Sequence, residues 1–77
     1  MNQPWVYEIR VEGHLADSWS DWFEGLAIFN DPTGEMVLSG PLMDQAALFG
    51  ILSKIQALNL TLISVNRLTH QTLKNLK

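Results

Sequence analysis

The chain has 77 residues, a formal net charge of −3 and no cysteine. This length predicts a single domain, residues 1–77, with a small core, and the lack of cysteine excludes disulfides and thiolate metal sites. No apolar run approaches the ~20 residues that cross a bilayer, and residues 1–4 lack the basic and apolar regions of a signal peptide, so we expect a soluble, cytoplasmic protein.

The charges are divided unevenly along the chain. All eight acidic residues and one of the five basic residues lie in residues 1–44, which therefore carry −7, while residues 45–77 carry +4. Such a division is typical of a dipolar surface, unless the fold brings the two halves together. The negative net charge also argues against nucleic acid as a partner.

The first predicted element is a β-strand over residues 5–12. From Tyr7 onward its apolar and charged side chains alternate, which indicates one buried face and one solvated face. The apolar set is Trp5, Tyr7, Ile9 and Val11, and the charged set is Glu8, Arg10 and Glu12.

Residues 17–25 are predicted to form a short helix. Trp19, Trp22 and Phe23 recur at helical spacing and give it one aromatic face, and Gly25 is suited to the left-handed conformation that ends a helix. We expect Trp22 and Phe23 to cover part of the sheet.

A β-hairpin is predicted over residues 26–30 and 35–39. The connecting residues 31–34 contain proline and glycine in the arrangement of a tight turn. Pairing of the two strands brings Phe29 next to Met36, unless the register is shifted by one residue.

The longest predicted helix covers residues 45–58 and follows Gly40-Pro41, which we expect to end the preceding strand. Asp44 is suited to cap its N-terminus, and Asn59 to the left-handed position after its end. Phe49 lies away from the apolar stripe of the helix, and we expect it to pack between the two helices. The stripe consists of Leu48, Ile51, Leu52, Ile55 and Leu58.

The last strand is predicted over residues 60–67, where the alternation of side chains slips between Leu62 and Ile63. Either the first part of this strand is buried on both faces, or a β-bulge shifts the alternation. We expect an ordered core over about residues 4–68 and a frayed or disordered tail at 69–77.

The predicted order of elements is strand, helix, strand, strand, helix, strand. With right-handed connections this order predicts an α+β fold, a ferredoxin-like βαββαβ sandwich. Its four-stranded antiparallel sheet would have the order 4-1-3-2 and carry a short first helix and a long second helix on one face. The first strand would then lie beside the last, and we expect Arg67 to neutralise part of the charge of Glu8 and Glu12.

Five stretches of the chain carry a resemblance to known proteins. They are Tyr7-Glu8-Ile9-Arg10-Val11, Trp19-Ser20-Asp21-Trp22-Phe23-Glu24-Gly25-Leu26, Ser39-Gly40-Pro41, Asp44-Gln45-Ala46-Ala47-Leu48 and Leu62-Ile63-Ser64-Val65. Together they resemble a family of small bacterial proteins of similar length, and the similarity covers residues 7–67. The family has no assigned activity, so the resemblance implies a free-standing domain and assigns no catalytic residue.

The first candidate site is the row formed by Glu8, Arg10 and Glu12 on the open face of the first strand. The last strand is expected to add Ser64 and Asn66 to this row, or Arg67 if its register differs. A sheet face of this kind binds ligands or forms a dimer in related sandwiches. The simpler interpretation is a solvated face whose cross-strand ion pairs contribute at most about 1 kcal/mol each.

Trp5 and Phe49 form the second candidate site, because the predicted core has the least room for these two aromatic side chains. The simpler interpretation places the tryptophans in the core and at its rim. The functional interpretation is a partner surface, since tryptophan is frequent in interface hot spots.

Metal binding and nucleic-acid binding have little support. Asp17, Asp21 and Glu24 crowd one short helix, but acids near a helix N-terminus are explained by the helix dipole, and we predict no metal and no cofactor. RNA-binding sandwiches stack bases on aromatic residues of the central strands, where this chain has Glu8 and Arg10 on the open face of the first strand.

We also predict that the protein is not an enzyme. No nucleophile is paired with a base, and no phosphate-binding glycine loop is present. The residues to consider first for any chemistry would be His14, Glu12 and Arg10.

Two functions are compatible with these observations. The first is an interaction or assembly module that self-associates, most simply as a homodimer. The second is a regulatory domain that binds a small molecule in a polar niche around Arg10, Glu12 and Asn66. Neither involves nucleic acid or a membrane.

Overall fold

The computed structural model describes residues 5–68, which form one antiparallel sheet with a single α-helix and a 3₁₀ helix. The strands are β1 (Trp5–Glu12), β2 (Ala27–Asn30), β3 (Glu35–Leu42) and β4 (Thr61–Leu68), the α-helix is α1 (Gln45–Ala57), and the 3₁₀ helix is Asp17–Phe23. The sheet order is β2-β3-β1-β4, so β2 and β4 are its edges. The predicted tail, residues 69–77, lies outside the described residues.

The predicted ferredoxin-like βαββαβ sandwich with two helices on one face is wrong. The four antiparallel strands are present, but α1, between β3 and β4, is the only α-helix in residues 5–68. Residues 17–23 form a 3₁₀ helix instead, because Ala16 before it provides no side-chain cap and the chain turns into the left-handed conformation at Glu24 and Gly25. Phe23 is buried as expected, whereas Trp22 is exposed and does not cover the sheet.

The prediction for β1 is confirmed, and this strand is the centre of the sheet. It pairs with β3 on one side and with β4 on the other. Ile9 lies between Leu38 and Val65 in these pairings, and its side chain is fully buried. Tyr7 and Val11 of the same strand are buried with it.

The prediction for the long helix is also confirmed. The Asp44 side chain accepts a hydrogen bond of 2.9 Å from the backbone N–H of Ala47, and Asn59 has φ 62° after the helix. Leu48, Ile51 and Ile55 of the predicted stripe are buried. They join the strand residues in one core cluster.

The hairpin register differs by one residue from the predicted pairing. Phe29 lies opposite Val37, and Met36 lies opposite Asn30. Met36 therefore faces the core, while Phe29 is 65% exposed. The pairing of β3 with β1 fixes Met36 on the core face opposite Val11, so a shift of the hairpin by one residue would turn Phe29 of β2 to the core face and leave Met36 in place.

Two further predictions around β3 and α1 are wrong. Gly40-Pro41 does not end β3, which continues to Leu42. Pairing between β2 and β3 stops at Ser39. Pro41 lies beyond this pairing, so its missing N–H costs no hydrogen bond to β2. Phe49 does not pack between two helices but is 57% exposed, because the 3₁₀ helix does not extend over it.

Gly40 is required by the close approach of Leu26, a fully buried residue between the 3₁₀ helix and β2. A Cβ atom at position 40 would lie 2.9 Å from Cδ2 of Leu26, and the φ of Gly40 is +154°. An alanine there would force Cδ2 of the buried Leu26 to shift and would also strain the backbone.

Gly40→Ala should therefore lower the free energy of unfolding by about 1–3 kcal/mol. Gly50→Ala is the matched control, because Gly50 lies in α1 and a Cβ there meets no atom within 4 Å. The control should raise stability by about 0.5–1 kcal/mol, since alanine is the better helix former. Urea unfolding followed by tryptophan fluorescence measures both, and a Gly40→Ala protein as stable as the control would contradict the role given to Leu26.

Candidate functional site

The face of the sheet opposite α1, here called the open face, carries the predicted polar row. The core cluster lies on the other face. Three cross-strand rows follow one another along β1, and each pairs one β1 residue with a residue of β4. The pairs are Glu8 with Asn66, Arg10 with Ser64, and Glu12 with Thr61.

The predicted site residues on this face are spread over the three rows. Asn66 lies beside Glu8, and Ser64 lies beside Arg10. Glu12 is two rows from Asn66, about 13 Å along the strand. The niche expected around Arg10, Glu12 and Asn66 therefore extends along the sheet and is not a compact pocket.

Arg10 is paired with acids of its own half of the chain. Its Nη1 donates to Oε1 of Glu35 at 3.0 Å and lies 3.5 Å from Oδ2 of Asp31. Glu12 lies opposite Glu35 in the β1–β3 register, so two carboxylates meet there. The group formed by Glu12, Asp31 and Glu35 is called the acidic end.

The turn of the hairpin holds Asp31 in its charged form. The backbone N–H of Thr33 donates to Oδ1 of Asp31 at 3.1 Å, and this bond, together with the guanidinium of Arg10, lowers the pKa of Asp31. His14 donates from Nε2 to the backbone oxygen of Asp31 at 2.7 Å. His14, Arg10 and Asp31 are therefore each held by contacts with other residues of the same chain.

The lowered pKa of Asp31 predicts a loss of stability in acid. A carboxyl group whose pKa is lower in the folded protein stabilises it above the unfolded pKa, and this contribution is lost as the pH falls through the folded pKa. Asp31→Asn should therefore destabilise the protein at pH 7 and make it less sensitive to a change from pH 5 to about pH 2.

Asp21→Asn, at an exposed acid of the 3₁₀ helix, is the control for this effect. Urea unfolding at several pH values compares the two variants with the wild type. A parallel pH dependence in all three proteins would contradict the role of Asp31.

Lys54 of α1 holds the end of the 3₁₀ helix. Its Nζ donates to the backbone oxygen of Trp22 and to Oε2 of Glu24, both at 2.9 Å. It also lies 5.3 Å from the centre of the Trp22 ring, which Trp19 meets edge-on at 6.3 Å between ring centres. Glu24 is thus part of an ion pair, and residues 5–68 contain no group of three potential ligands positioned to hold a metal.

The predicted neutralisation of Glu8 and Glu12 by Arg67 is wrong. Arg67 lies opposite Tyr7 and therefore projects from the face that carries α1. Its guanidinium carbon lies 4.1 Å from the centre of the Trp5 ring. Trp5, a predicted interface residue, is thus partly covered by its own chain, and the charge contact between the two halves is made by Lys54 and Glu24 instead.

The outer edge of β4 lies where the predicted strand order 4-1-3-2 places it, but its apolar side chains were not among the predicted site residues. Within residues 5–68, β4 pairs with β1 on one side and with no strand on the other. Its apolar side chains Leu62, Ile63 and Leu68 are 45%, 42% and 42% exposed. The signal was available in the uncharged run of residues 60–66, because a strand at the edge of a sheet usually carries protecting charges.

The slip in the alternation of β4 is explained by a β-bulge. The β1–β4 register shifts between Arg10 and Val11, and Ile63 is the β4 residue without a partner. The alternative, burial of both faces, is wrong because Leu62 and Ile63 are exposed. Residues 64–68 keep an uninterrupted register beyond the bulge. They contain no proline, and Arg67 is their one charged residue.

Comparison with protein-family models identifies the family of this chain. The model, described as a domain of unknown function (DUF8691), matches residues 6–66. The chain belongs to the DUF8691 family. Comparison with curated proteins and with solved structures gave no match. No helix within residues 5–68 is long and apolar enough to cross a membrane.

Proposed function

We propose that this DUF8691 protein is a non-enzymatic interaction module that self-associates through the outer edge of β4. The observation that carries the proposal is an eight-residue edge strand with exposed apolar side chains along it. A homodimer is the simplest assembly, since two-fold pairs are the commonest soluble oligomers. We also propose, as the sequence predicts, that the protein is bacterial and cytoplasmic.

Strand addition is the binding mode that suits such an edge. In the single chain, the outward N–H and C=O groups of β4 have no strand to pair with among the described residues. A second strand would supply backbone hydrogen bonds, each worth about 0.5–1.5 kcal/mol net. It would also cover part of the exposed surface of Leu62, Ile63 and Leu68, at about 25 cal/mol per Å² of apolar surface buried.

A small-ligand site on the open face is the weaker alternative. Arg10 is the one cation that projects from this face within residues 5–68, and Glu35 and Asp31 already bind it. An anionic ligand would have to displace both carboxylates and would then meet the acidic end. Catalysis is weaker still, because the imidazole of His14 is bonded to a backbone oxygen.

The proposal is tested by the oligomeric state of an edge variant. The double substitution Ile63→Lys and Leu68→Lys places charges on the exposed side chains of β4 without touching the buried core. We expect the wild type to form dimers at protein concentrations from about 1 µM to about 100 µM. The variant should be monomeric over the same range, because charges on an edge strand oppose strand addition. Sedimentation velocity over that range measures both.

Phe29→Lys is the matched control, because Phe29 is the most exposed large apolar residue and lies on the opposite edge strand, β2. This variant should dimerise like the wild type. A wild type that is monomeric throughout the range would refute self-association, and a dimer lost in Phe29→Lys but kept in the β4 variant would place the interface elsewhere.

A further inference from the structure

We infer that the exposed surface of residues 17–24 binds a basic segment of a partner protein by holding an arginine side chain against Trp19 and Asp21. This surface is separate from the proposed β4 interface, because the 3₁₀ helix packs beside β2, at the opposite edge of the sheet. The inference therefore does not rest on self-association. It follows from the arrangement of the tryptophans, the charges beside them and the way in which Lys54 is held.

The 3₁₀ helix presents its tryptophans to solvent. Such a helix has about three residues per turn, so side chains three positions apart lie one above the other. Ser20 and Phe23 form the row that faces the protein: Phe23 is buried, and the Ser20 hydroxyl donates to the backbone oxygen of Leu26 at 2.7 Å. Trp19 and Trp22 form the next row and are 37% and 43% exposed. Two large aromatic side chains are thus offered together to a partner.

The third row of the helix is acidic. Asp21 lies in this row, and Glu24 follows three residues later, immediately after the helix. Both are exposed, and the exposed Asp17 adds a carboxylate at the start of the helix. Residues 17–24 contain no basic residue. The tryptophan rings are therefore bordered by negative charge, which favours a cationic partner.

Lys54 of α1 shows how this surface holds a cation. Its Nζ donates to Oε2 of Glu24 and to the backbone oxygen of Trp22, and it lies 5.3 Å from the centre of the Trp22 ring. A carboxylate and an aromatic ring thus bind the same ammonium group. The protein itself already uses Trp22 and Glu24 in this way.

Trp19 and Asp21 repeat the order of Trp22 and Glu24, an aromatic residue followed two positions later by an acid. Within residues 5–68 no cation pairs with Asp21 or lies over the Trp19 ring. Arginine suits this pair of side chains, because its planar guanidinium stacks on an indole ring and donates two parallel bonds to a carboxylate. Three carboxylates against the single Lys54 favour a segment with several basic residues.

A capped hexa-arginine peptide is the probe, and NMR of the indole N–H groups reports where it binds. Titration should shift the Trp19 signal more than the Trp5 signal, because the ring of Trp5 already carries Arg67. We expect a dissociation constant of roughly 1 mM or below. A hexa-lysine peptide should bind about threefold more weakly, since an ammonium group neither stacks on a ring nor pairs with a carboxylate in two parallel bonds.

Variants separate the proposed contact from general charge attraction. Asp21→Asn should weaken binding of hexa-arginine about threefold, the size expected for an exposed ion pair. Glu8→Gln is the matched control, because it also removes one exposed carboxylate but lies on the open face of the sheet, and it should bind like the wild type. Trp19→Leu, followed on the Trp22 signal, should weaken binding by a similar factor. Urea unfolding checks that each variant is folded.

Equal weakening by Asp21→Asn and Glu8→Gln, or equal affinity for the two peptides, would mean that net charge alone attracts them and would overturn the inference. No shift of the Trp19 signal up to ~5 mM hexa-arginine would also overturn it. Residues 69–77, outside the described part, contain Lys74 and Lys77. Tighter binding after Lys74→Ala and Lys77→Ala together would assign the contact to the chain's own lysines and would refute an outside partner.

The result is independent of the proposed self-association. Selective weakening by Asp21→Asn and Trp19→Leu, with unchanged affinity in Glu8→Gln and in the double lysine variant, supports the inference. Sedimentation without peptide tests the β4 interface, so a monomeric wild type would refute self-association and leave the binding of a basic segment standing.

Discussion

The two-sided pairing of β1 is the constraint on which the rest of the structure depends. Ile9 lies between Leu38 of β3 and Val65 of β4, fully buried. This pairing brings residues separated by more than fifty positions into one core and places Tyr7, Ile9 and Val11 of β1 on the face that α1 covers. The other face of β1 carries Val6 and three charged residues, and no helix of residues 5–68 covers it.

The same constraint leaves β4 at the edge of the described sheet. β1 is already paired on its other side by β3, and the hairpin extends the sheet from there through β2. The short β2 edge ends after four residues, whereas the β4 edge has eight residues. The difference in length and the apolar side chains make β4 the edge on which strand addition has most to gain.

The elements with a complete local signal were the ones that could be predicted. β1 has an alternating pattern, and α1 has both a cap at Asp44 and an apolar stripe, so local chemistry and tertiary packing agree there. Residues 17–23 have helical spacing of their aromatic residues but neither a side-chain cap nor sufficient length for an α-helix, and they form a 3₁₀ helix in which Phe23 is buried. The hairpin register decides which face of the sheet carries Phe29 of β2, and no local pattern specifies that.

The candidate site was predictable in composition but not in arrangement. The polar row on β1 and the slip at Ile63 are visible in the sequence, because side chains alternate across a strand. The partners of Arg10 and the position of Arg67 over Trp5 are long-range consequences of strand register.

By itself, the sequence determined which segments become β1, β4 and α1, since those depend on the periodicity of neighbouring residues. Only the tertiary structure decided which charges meet, how far the first helix could form, and which side chains of β4 are exposed. Each of these depends on residues far apart in the chain, whose proximity the core alone creates.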